Sequence, residues 1–179
     1  MGKIIAVFGA SRVERDSELF KEGVLCGRLL AERGYAVATG GYGGLMEAVS
    51  AGCRDAGGDV IGVTAPSVFP DRDGPNEWVT EERRANSLIE RIHEMVELSA
   101  AAIALPGSLG TATELLAAWN LAFVARFSGL RPKPVVAVGR TWGAVIPDLA
   151  ERLRTDGRLV TLVDDARAAV DEIDRRLQT

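Results

Sequence analysis

The chain has 179 residues, of which 47% are hydrophobic and 26% charged, and this composition predicts one globular domain over residues 1–179. Its formal net charge is −4 and its basic residues are not interleaved with aromatics, which argues against a nucleic-acid polymer as partner. No apolar stretch is as long as a membrane span, so we expect a cytoplasmic protein without a membrane partner.

Short apolar strands alternate with helical patterns along the chain. Strands are predicted over residues 3–8, 35–39, 60–64, 101–105, 135–138 and 159–162. Helices are predicted over residues 17–33, 45–56, 85–98, 111–127, 142–154 and 165–177. This alternation is typical of α/β proteins. We therefore predict a single Rossmann-like nucleotide-binding domain: a doubly wound parallel sheet with helices on both faces.

Glycines and small polar residues follow three of these strands. The first two loops supply the candidate ligand-binding residues Gly9, Ala10, Ser11, Gly41, Gly43 and Gly44. The loop after the fourth strand supplies the candidate phosphate-binding residues Gly107, Ser108, Leu109, Gly110 and Thr111. Glycine permits close backbone approach and positive φ, which we expect at Gly110. Because carboxyl ends of parallel strands share one sheet edge, the loops are expected to converge on a small phosphorylated ligand.

The helix after the last of these loops is expected to begin near Thr111 and to carry Glu114 in its first turn. A helix N-terminus stabilises an anion through its unpaired N–H groups and its dipole, which makes Glu114 a catalytic candidate beside a phosphate. The structural alternative is a capping box over residues 111–114, in which the threonine hydroxyl and the glutamate carboxylate satisfy end-of-helix donors. The local sequence leaves both interpretations open.

Residues 65–80 form a long irregular stretch with three prolines and one glycine. The stretch leaves the carboxyl end of a predicted strand, where open α/β sheets bind ligands. It is therefore either a functional loop or simply an exposed one.

The sequence lacks the motifs of several familiar nucleotide-binding sites. No Walker A pattern occurs, the nearest Gly-x-Gly-x-x-Gly match has Met46 in its last glycine position, and the second strand ends in Thr39 rather than in an acid. A P-loop nucleotidase and a dehydrogenase are therefore not expected. Cys26 and Cys53 fall in predicted helices, where buried thiols are usual, and the single histidine, His93, is interpreted as structural. We expect no metal and no cofactor.

Two motifs resemble those of the LONELY GUY (LOG) family, long labelled possible lysine decarboxylases. They are GYGGLMEA at residues 41–48 and PGSLGTATE at residues 106–114, and with VFGAS at residues 7–11 the resemblance spans residues 3–140. It implies a Rossmann-like homodimer that hydrolyses the N-glycosidic bond of a nucleoside 5′-monophosphate, releasing an adenine-type or cytokinin base and ribose 5-phosphate. Related proteins imply an alternative: a non-catalytic molybdenum cofactor carrier or nucleotide sensor.

The resemblance also implies roles for individual residues. Glu114 and Arg91 are implied to be catalytic, residues 107–111 to bind the phosphate, and Glu47 to be a further ligand-binding residue. The chain departs from the family pattern at two positions. Ser108 replaces the second loop glycine, and Ile92 replaces the lysine of an Arg-Lys pair, which removes one positive charge.

Arg91 has a structural interpretation as well. A helical wheel places it on the flank of an apolar face, where an arginine usually lies over the rim of the core and pairs with an acid. The decarboxylase label is rejected, because none of the lysines, Lys3, Lys21 and Lys133, lies in a glycine loop where it could hold pyridoxal phosphate.

The helix predicted to end at residue 127 is apolar on nearly every face beyond residue 115. A helix of this kind has to be buried on most of its faces. We therefore expect a homodimer, with burial inside one chain as the alternative.

Overall fold

The computed structural model describes residues 2–178. Within them the strands are β1 (Ile4–Phe8), β2 (Ala36–Thr39), β3 (Val60–Thr64), β4 (Glu81–Arg84), β5 (Ala101–Ala104), β6 (Val135–Val138) and β7 (Val160–Val163). The helices are α1 (Glu18–Glu32), α2 (Leu45–Asp55), α3 (Leu88–Glu97), α4 (Leu109–Ala125), α5 (Arg140–Leu153) and α6 (Ala166–Gln178), with a short 3-10 turn at Gly157–Leu159. Every predicted strand and helix occurs; β3 and β6 have the predicted bounds, and the ends of the others are shifted.

All the strands belong to one parallel sheet with the order β4-β3-β2-β1-β5-β6-β7. In the centre, Ile5 of β1 pairs with Val37 of β2 on one side and with Ala101 of β5 on the other. The chain runs outward from β1 to β4 and then returns to add β5 beside β1. This order confirms the predicted Rossmann-like α/β fold, and it places the topological switch point between β1 and β5.

Alternate residues of the strands face two apolar layers. Ile5 packs in a layer with α1, α2 and α6, whereas Phe8 of the same strand packs in a layer with α3, α4 and α5. Cys26 and Cys53 lie in the first layer, where burial raises the pKa of their thiols to about 12 and about 11, respectively. Neither thiol is therefore prepared to act as a nucleophile.

One strand, β4, was not predicted. Its sequence is Glu-Glu-Arg-Arg, and it pairs with β3 from Ile61–Glu81 to Thr64–Arg84 at the edge of the sheet. An edge strand pairs on one side only and does not need apolar side chains, so it carries no hydrophobic signature. After β4, α3 begins at Leu88, three residues later than predicted, where the Ser87 hydroxyl caps it by accepting a hydrogen bond from the Glu90 N–H at 3.1 Å.

The described residues contain neither a membrane-spanning helix nor a metal cluster. No helix within residues 2–178 is both long enough and apolar enough to cross a membrane. In the same range, no three His, Cys, Asp or Glu side chains are grouped so that they could hold a metal ion. His93 is exposed on α3.

Candidate active site

The loops after β1, β2 and β5 meet at the switch point. The Ala10 N–H donates to the Pro106 carbonyl at 3.2 Å, and the Leu45 N–H donates to the Ala10 carbonyl at 2.8 Å. Gly44 permits this contact, because its φ is +69° and a Cβ there would lie 2.5 Å from the Ala10 carbonyl oxygen. The three glycine loops thus converge at one edge of the sheet.

A cavity of about 200 Å³, here called the inner cavity, opens between these loops. The predicted site residues in its wall are Gly9, Ser11, Arg91, Ser108, Gly110, Thr111 and Glu114. Its wall also contains residues that were not proposed from the sequence: Met46, Phe69 and Arg72. The inner cavity therefore joins the loop after β1, the N-terminus of α4 and a side chain from α3.

The remaining predicted residues lie around the inner cavity rather than in its wall. Gly41 adopts a φ of +76° in the second loop, and Gly43 lines a neighbouring cavity. Glu47 forms an ion pair with Arg15, and Leu109 is 81% exposed. These residues shape or border the site without facing its centre.

The two glycines of the third loop, Gly107 and Gly110, lack a side chain for different structural reasons. A Cβ at Gly107 would lie 2.1 Å from the Thr111 hydroxyl oxygen, so Gly107 makes room for that side chain. Gly110 is the second residue of α4 and has no positive φ, and a Cβ there would meet nothing within 4 Å. The expectation of a positive φ at Gly110 was wrong: the absence of a side chain there instead leaves the cavity open.

Glu114 lies in the second turn of α4 rather than in the first. The helix begins at Leu109, two residues earlier than predicted, with Ser108 at the N-cap position. Glu114 Oε1 accepts a hydrogen bond from Arg91 Nη1 at 3.0 Å, and within residues 2–178 it makes no hydrogen bond to Thr111. The capping-box alternative is therefore wrong, because the earlier helix start moves Thr111 inside the helix.

Arg91 is buried, with only 5% of its surface exposed. Its Nε donates to the Val63 carbonyl at 2.8 Å, its Nη1 donates to Glu114, and its Nη2 lies 3.8 Å from the Met46 sulfur. A Cβ on Gly40 would lie 1.7 Å from Arg91 Nη2, so the glycine leaves the space that the guanidinium occupies. The structural alternative, an arginine over the rim of the core, does not fit this burial, although the pairing with an acid that it included occurs.

Burial dominates the electrostatics of Glu114. Desolvation raises the pKa of Glu114 above the ordinary glutamate value, while the charge and the hydrogen bond of Arg91 act in the opposite direction. The second carboxylate oxygen accepts no hydrogen bond within residues 2–178, yet it is not sealed from solvent. Glu114 is therefore held by Arg91 through one oxygen and can meet a ligand through the other.

The N-terminus of α4 faces the same inner cavity. Ser108, Gly110 and Thr111 lie in its wall, and the first N–H groups of a helix have no acceptor within the helix. An anion is favoured there by these donors and by the helix dipole. Such an anion would lie about one helical turn from Glu114.

The irregular stretch over residues 65–80 contributes to the walls of the site. Asn76 ties it to the second glycine loop, because its side-chain amide donates to the carbonyls of Gly41 at 3.1 Å and Tyr42 at 2.9 Å. Phe69 packs edge-on against Tyr42, with ring centroids 5.7 Å apart. These contacts anchor the stretch to the second glycine loop, and Phe69 and Arg72 extend from it into the wall of the inner cavity.

A larger cavity of about 740 Å³, here called the outer cavity, lies beside the inner one. The two cavities share Ser11, Phe69 and Arg72 as wall residues, and Tyr42 and Arg12 line the outer one. Arg72 had no sequence signal beyond its position in a proline-rich stretch after a strand. Only the fold of that stretch brings its side chain to the boundary between the cavities.

Comparison with known proteins identifies the family of the chain. A model of the SLOG cluster4 family matches residues 2–124, a range that includes the three glycine loops, Arg91 and Glu114. The chain belongs to the SLOG cluster4 family. In this SLOG cluster4 protein the matched range ends one residue before the end of α4.

Relatives of this SLOG cluster4 protein include named hydrolases. It is 38% identical over 132 residues to the cytokinin riboside 5′-monophosphate phosphoribohydrolase LOG of Oryza sativa, covering 73% of this chain and 52% of the rice protein. It is 32% identical over 128 residues to the Mycobacterium tuberculosis protein described by the same activity, covering 71% of this chain and 65% of that protein. The match therefore spans about half the length of the rice relative.

A solved structure resembles the SLOG cluster4 chain over nearly its whole length. The molybdenum cofactor binding protein of Rippkaea orientalis superposes with a TM-score of 0.76, covering 99% of this chain and 98% of that one. The sequence identity is 23%, so the likeness extends to the fold alone.

Proposed function

We propose that this SLOG cluster4 chain is a cytoplasmic nucleoside 5′-monophosphate phosphoribohydrolase that releases an adenine-type or cytokinin base and ribose 5-phosphate. The observation that carries the proposal is the buried ion pair of Arg91 and Glu114, 3.0 Å long, in the same cavity wall as the N-terminus of α4. The rice and M. tuberculosis relatives, whose names state this reaction, support it.

The substrate phosphate would bind at the N-terminus of α4. The Ser108 and Thr111 hydroxyls and the Gly110 N–H are the donors there, and the open space at Gly110 admits the phosphate oxygens. The ribose would then lie toward Glu114, with the base in the outer cavity beside Tyr42. Binding the phosphate in this way positions the bond that reacts.

Glu114 would act on the anomeric carbon. Breaking an N-glycosidic bond builds positive charge on the sugar, and a carboxylate beside it stabilises that charge or accepts a proton from the attacking water. The water oxygen bonds to the anomeric carbon, and the base leaves with the electron pair of the broken bond and takes up a proton. The carboxylate oxygen that Arg91 does not contact is the one available for this role.

Arg91 would hold Glu114 in place rather than exchange protons. An arginine stays protonated at any working pH, so it cannot serve as the general acid. Its bonds to the Val63 carbonyl and to Glu114 fix the direction of the carboxylate. Its charge also limits the rise in the pKa of Glu114 that burial causes, which keeps the ionised form accessible.

The direct test is incubation with AMP and with isopentenyladenine riboside 5′-monophosphate. We expect free base and ribose 5-phosphate in equal amounts, with no release of base from the matching nucleosides. Intact nucleotide after prolonged incubation with folded protein would contradict the proposal. In that case, mass spectrometry of ligand released from gently purified protein tests the alternative, a carrier of a pterin-type cofactor or a nucleotide sensor.

We also propose that the chain forms a homodimer through α4. One chain leaves several large apolar side chains of this helix and its following turn exposed: Leu116, Leu121, Val124 and Phe127. Burial inside one chain, the alternative to a dimer, therefore does not account for them. Several large apolar side chains exposed on one helix are typical of a protein interface.

Light scattering at protein concentrations on the order of tens of micromolar is expected to give the mass of a dimer. Phe127, which is 77% exposed, is the sharpest site for a test, because a charge there would be desolvated in the interface. Phe127→Lys is expected to yield a folded monomer whose far-UV circular dichroism matches that of the parent protein. Leu162→Lys, at a half-exposed position of β7, is the matched control and should remain dimeric. A monomeric parent protein would refute the interface.

A further inference from the structure

The Arg72 side chain occupies a defined position at the boundary between the two cavities. Its guanidinium carbon lies 4.3 Å from the centroid of the Tyr42 ring and 4.4 Å from that of the Phe69 ring. These contacts hold the cation against two aromatic rings while Arg72 lines both the inner and the outer cavity. The planar group is thus oriented without any help from a carboxylate.

The charge of Arg72 is not neutralised by the described part of the protein. Within residues 2–178 its guanidinium forms no ion pair and donates no side-chain hydrogen bond, and its electrostatic neighbours are Tyr42, Arg91 and Arg12. Burial is the largest influence and lowers the pKa of Arg72, and the positive charges of Arg91 and Arg12 lower it further. A negative group in the inner cavity would relieve both effects.

Arg91 is not available to bind such a negative group, because its positive charge is already paired with Glu114. Arg91 Nη1 is 3.0 Å from Glu114 Oε1, so the pair is close to neutral as a unit. The next position of α3 is Ile92, which is 6% exposed and packs in the apolar layer under the sheet. Among the described residues that line the inner cavity, Arg72 is therefore the cation that remains free to attract an anion.

We infer that Arg72 binds the phosphate of the ligand, opposite the N-terminus of α4. It would thereby supply the second positive charge that α3 lacks, because Ile92 replaces the lysine of the family's Arg-Lys pair. The inference rests on the proposed function in taking the ligand to be a nucleoside 5′-monophosphate. Ser108, Gly110 and Thr111 line the inner cavity together with Arg72, so a phosphate there meets helix N–H groups on one side and a planar guanidinium on another. A guanidinium binds phosphate oxygens through two parallel N–H bonds.

The test measures binding without turnover. Calorimetry is carried out with a C-nucleoside analogue of AMP, in which a carbon–carbon bond replaces the N-glycosidic bond, and with the same C-nucleoside lacking the phosphate. Arg72→Met keeps an unbranched side chain against Tyr42 and Phe69 but removes the charge. We expect it to weaken binding of the monophosphate about 10- to 100-fold and to leave binding of the nucleoside unchanged.

Two further variants make the result specific. Arg72→Lys restores the charge without the planar group and should recover part of the lost affinity. Arg84→Met removes one positive charge from an exposed position of β4, where Arg84 pairs with Glu82, and should bind like the parent protein. Equal weakening for the monophosphate and the nucleoside, or no weakening for either, would overturn the inference.

The binding test separates this inference from the proposed reaction. If the parent protein prefers the monophosphate through Arg72 but never hydrolyses AMP, the phosphate role stands and the hydrolase proposal fails. If AMP is hydrolysed and Arg72→Met leaves monophosphate binding unchanged, the hydrolase proposal stands and the role of Arg72 fails.

Discussion

Glu114→Gln is expected to reduce the release of base from AMP at least about a hundredfold, or roughly 2.7 kcal/mol of transition-state stabilisation. The amide occupies the same space as the carboxylate but can neither balance positive charge on the sugar nor accept a proton from water. Initial rates of base release at saturating AMP measure the effect. Activity equal to that of the parent would remove Glu114 from the mechanism.

The same variant is also expected to be at least as stable as the parent protein near neutral pH. Burial raises the pKa of Glu114, so the ionised carboxylate is less favourable in the folded protein than in the unfolded one, and a neutral side chain of the same shape removes this cost. The side-chain oxygen in Glu114→Gln can still accept a hydrogen bond from Arg91. Denaturant unfolding of both proteins measures the change, and a clear loss of stability would show that the counter-charge for Arg91 outweighs the cost of burying the carboxylate.

The pH dependence of kcat/KM provides an independent measurement on Glu114. Activity requires the ionised carboxylate, so it falls as pH drops through the pKa of Glu114 in the folded protein. Because burial raises that pKa, we expect the midpoint of the acidic limb above the ordinary glutamate value of 4.5. In Glu114→Gln this limb should disappear from the residual activity. A parent limb at or below 4.5 would contradict the assignment.

Gly40→Ala is expected to lower turnover about a hundredfold, although Gly40 carries no chemical group. The added methyl would lie 1.7 Å from Arg91 Nη2 and 2.5 Å from the Met46 sulfur, so the guanidinium has to leave its position. A displacement of about 1 Å in a positioning group has effects of this size on rate. The loss of stability should be smaller than for most buried clashes, because the atoms that must move are the ends of side chains.

A control and a second readout keep this prediction specific. Gly143→Ala makes the same change in α5, where a Cβ would meet nothing within 4 Å, and should leave turnover unchanged. When Arg91 moves away from Glu114 in Gly40→Ala, the carboxylate loses the charge and the hydrogen bond that lower its pKa. The pKa of Glu114 should therefore rise further, and the acidic limb of the kcat/KM profile should move to higher pH. Full activity in Gly40→Ala would show that the position of Arg91 does not limit the reaction.

The sequence by itself determined the parallel sheet and the edge at which its loops meet. Strands such as Val135–Val138 are buried on both faces, so they appear as short apolar runs between amphipathic helices. The loops after β1, β2 and β5 are marked by glycines for backbone reasons that are local, as at Gly44 with its φ of +69°. Glu114 could be proposed because it lies in the motif at residues 106–114, and Arg91 because the family resemblance implies its position in the preceding helix.

Only the tertiary structure decided how these parts act on one another. Glu114 could be a helix cap or an ion-pair partner until α3 and α4 were packed, because the choice depends on Arg91, 23 residues away along the chain. The strand β4 carries no apolar pattern, since pairing at a sheet edge requires only its backbone. Arg72 gained its position from the aromatic rings of Tyr42 and Phe69, and contacts between loops distant in sequence leave no local pattern.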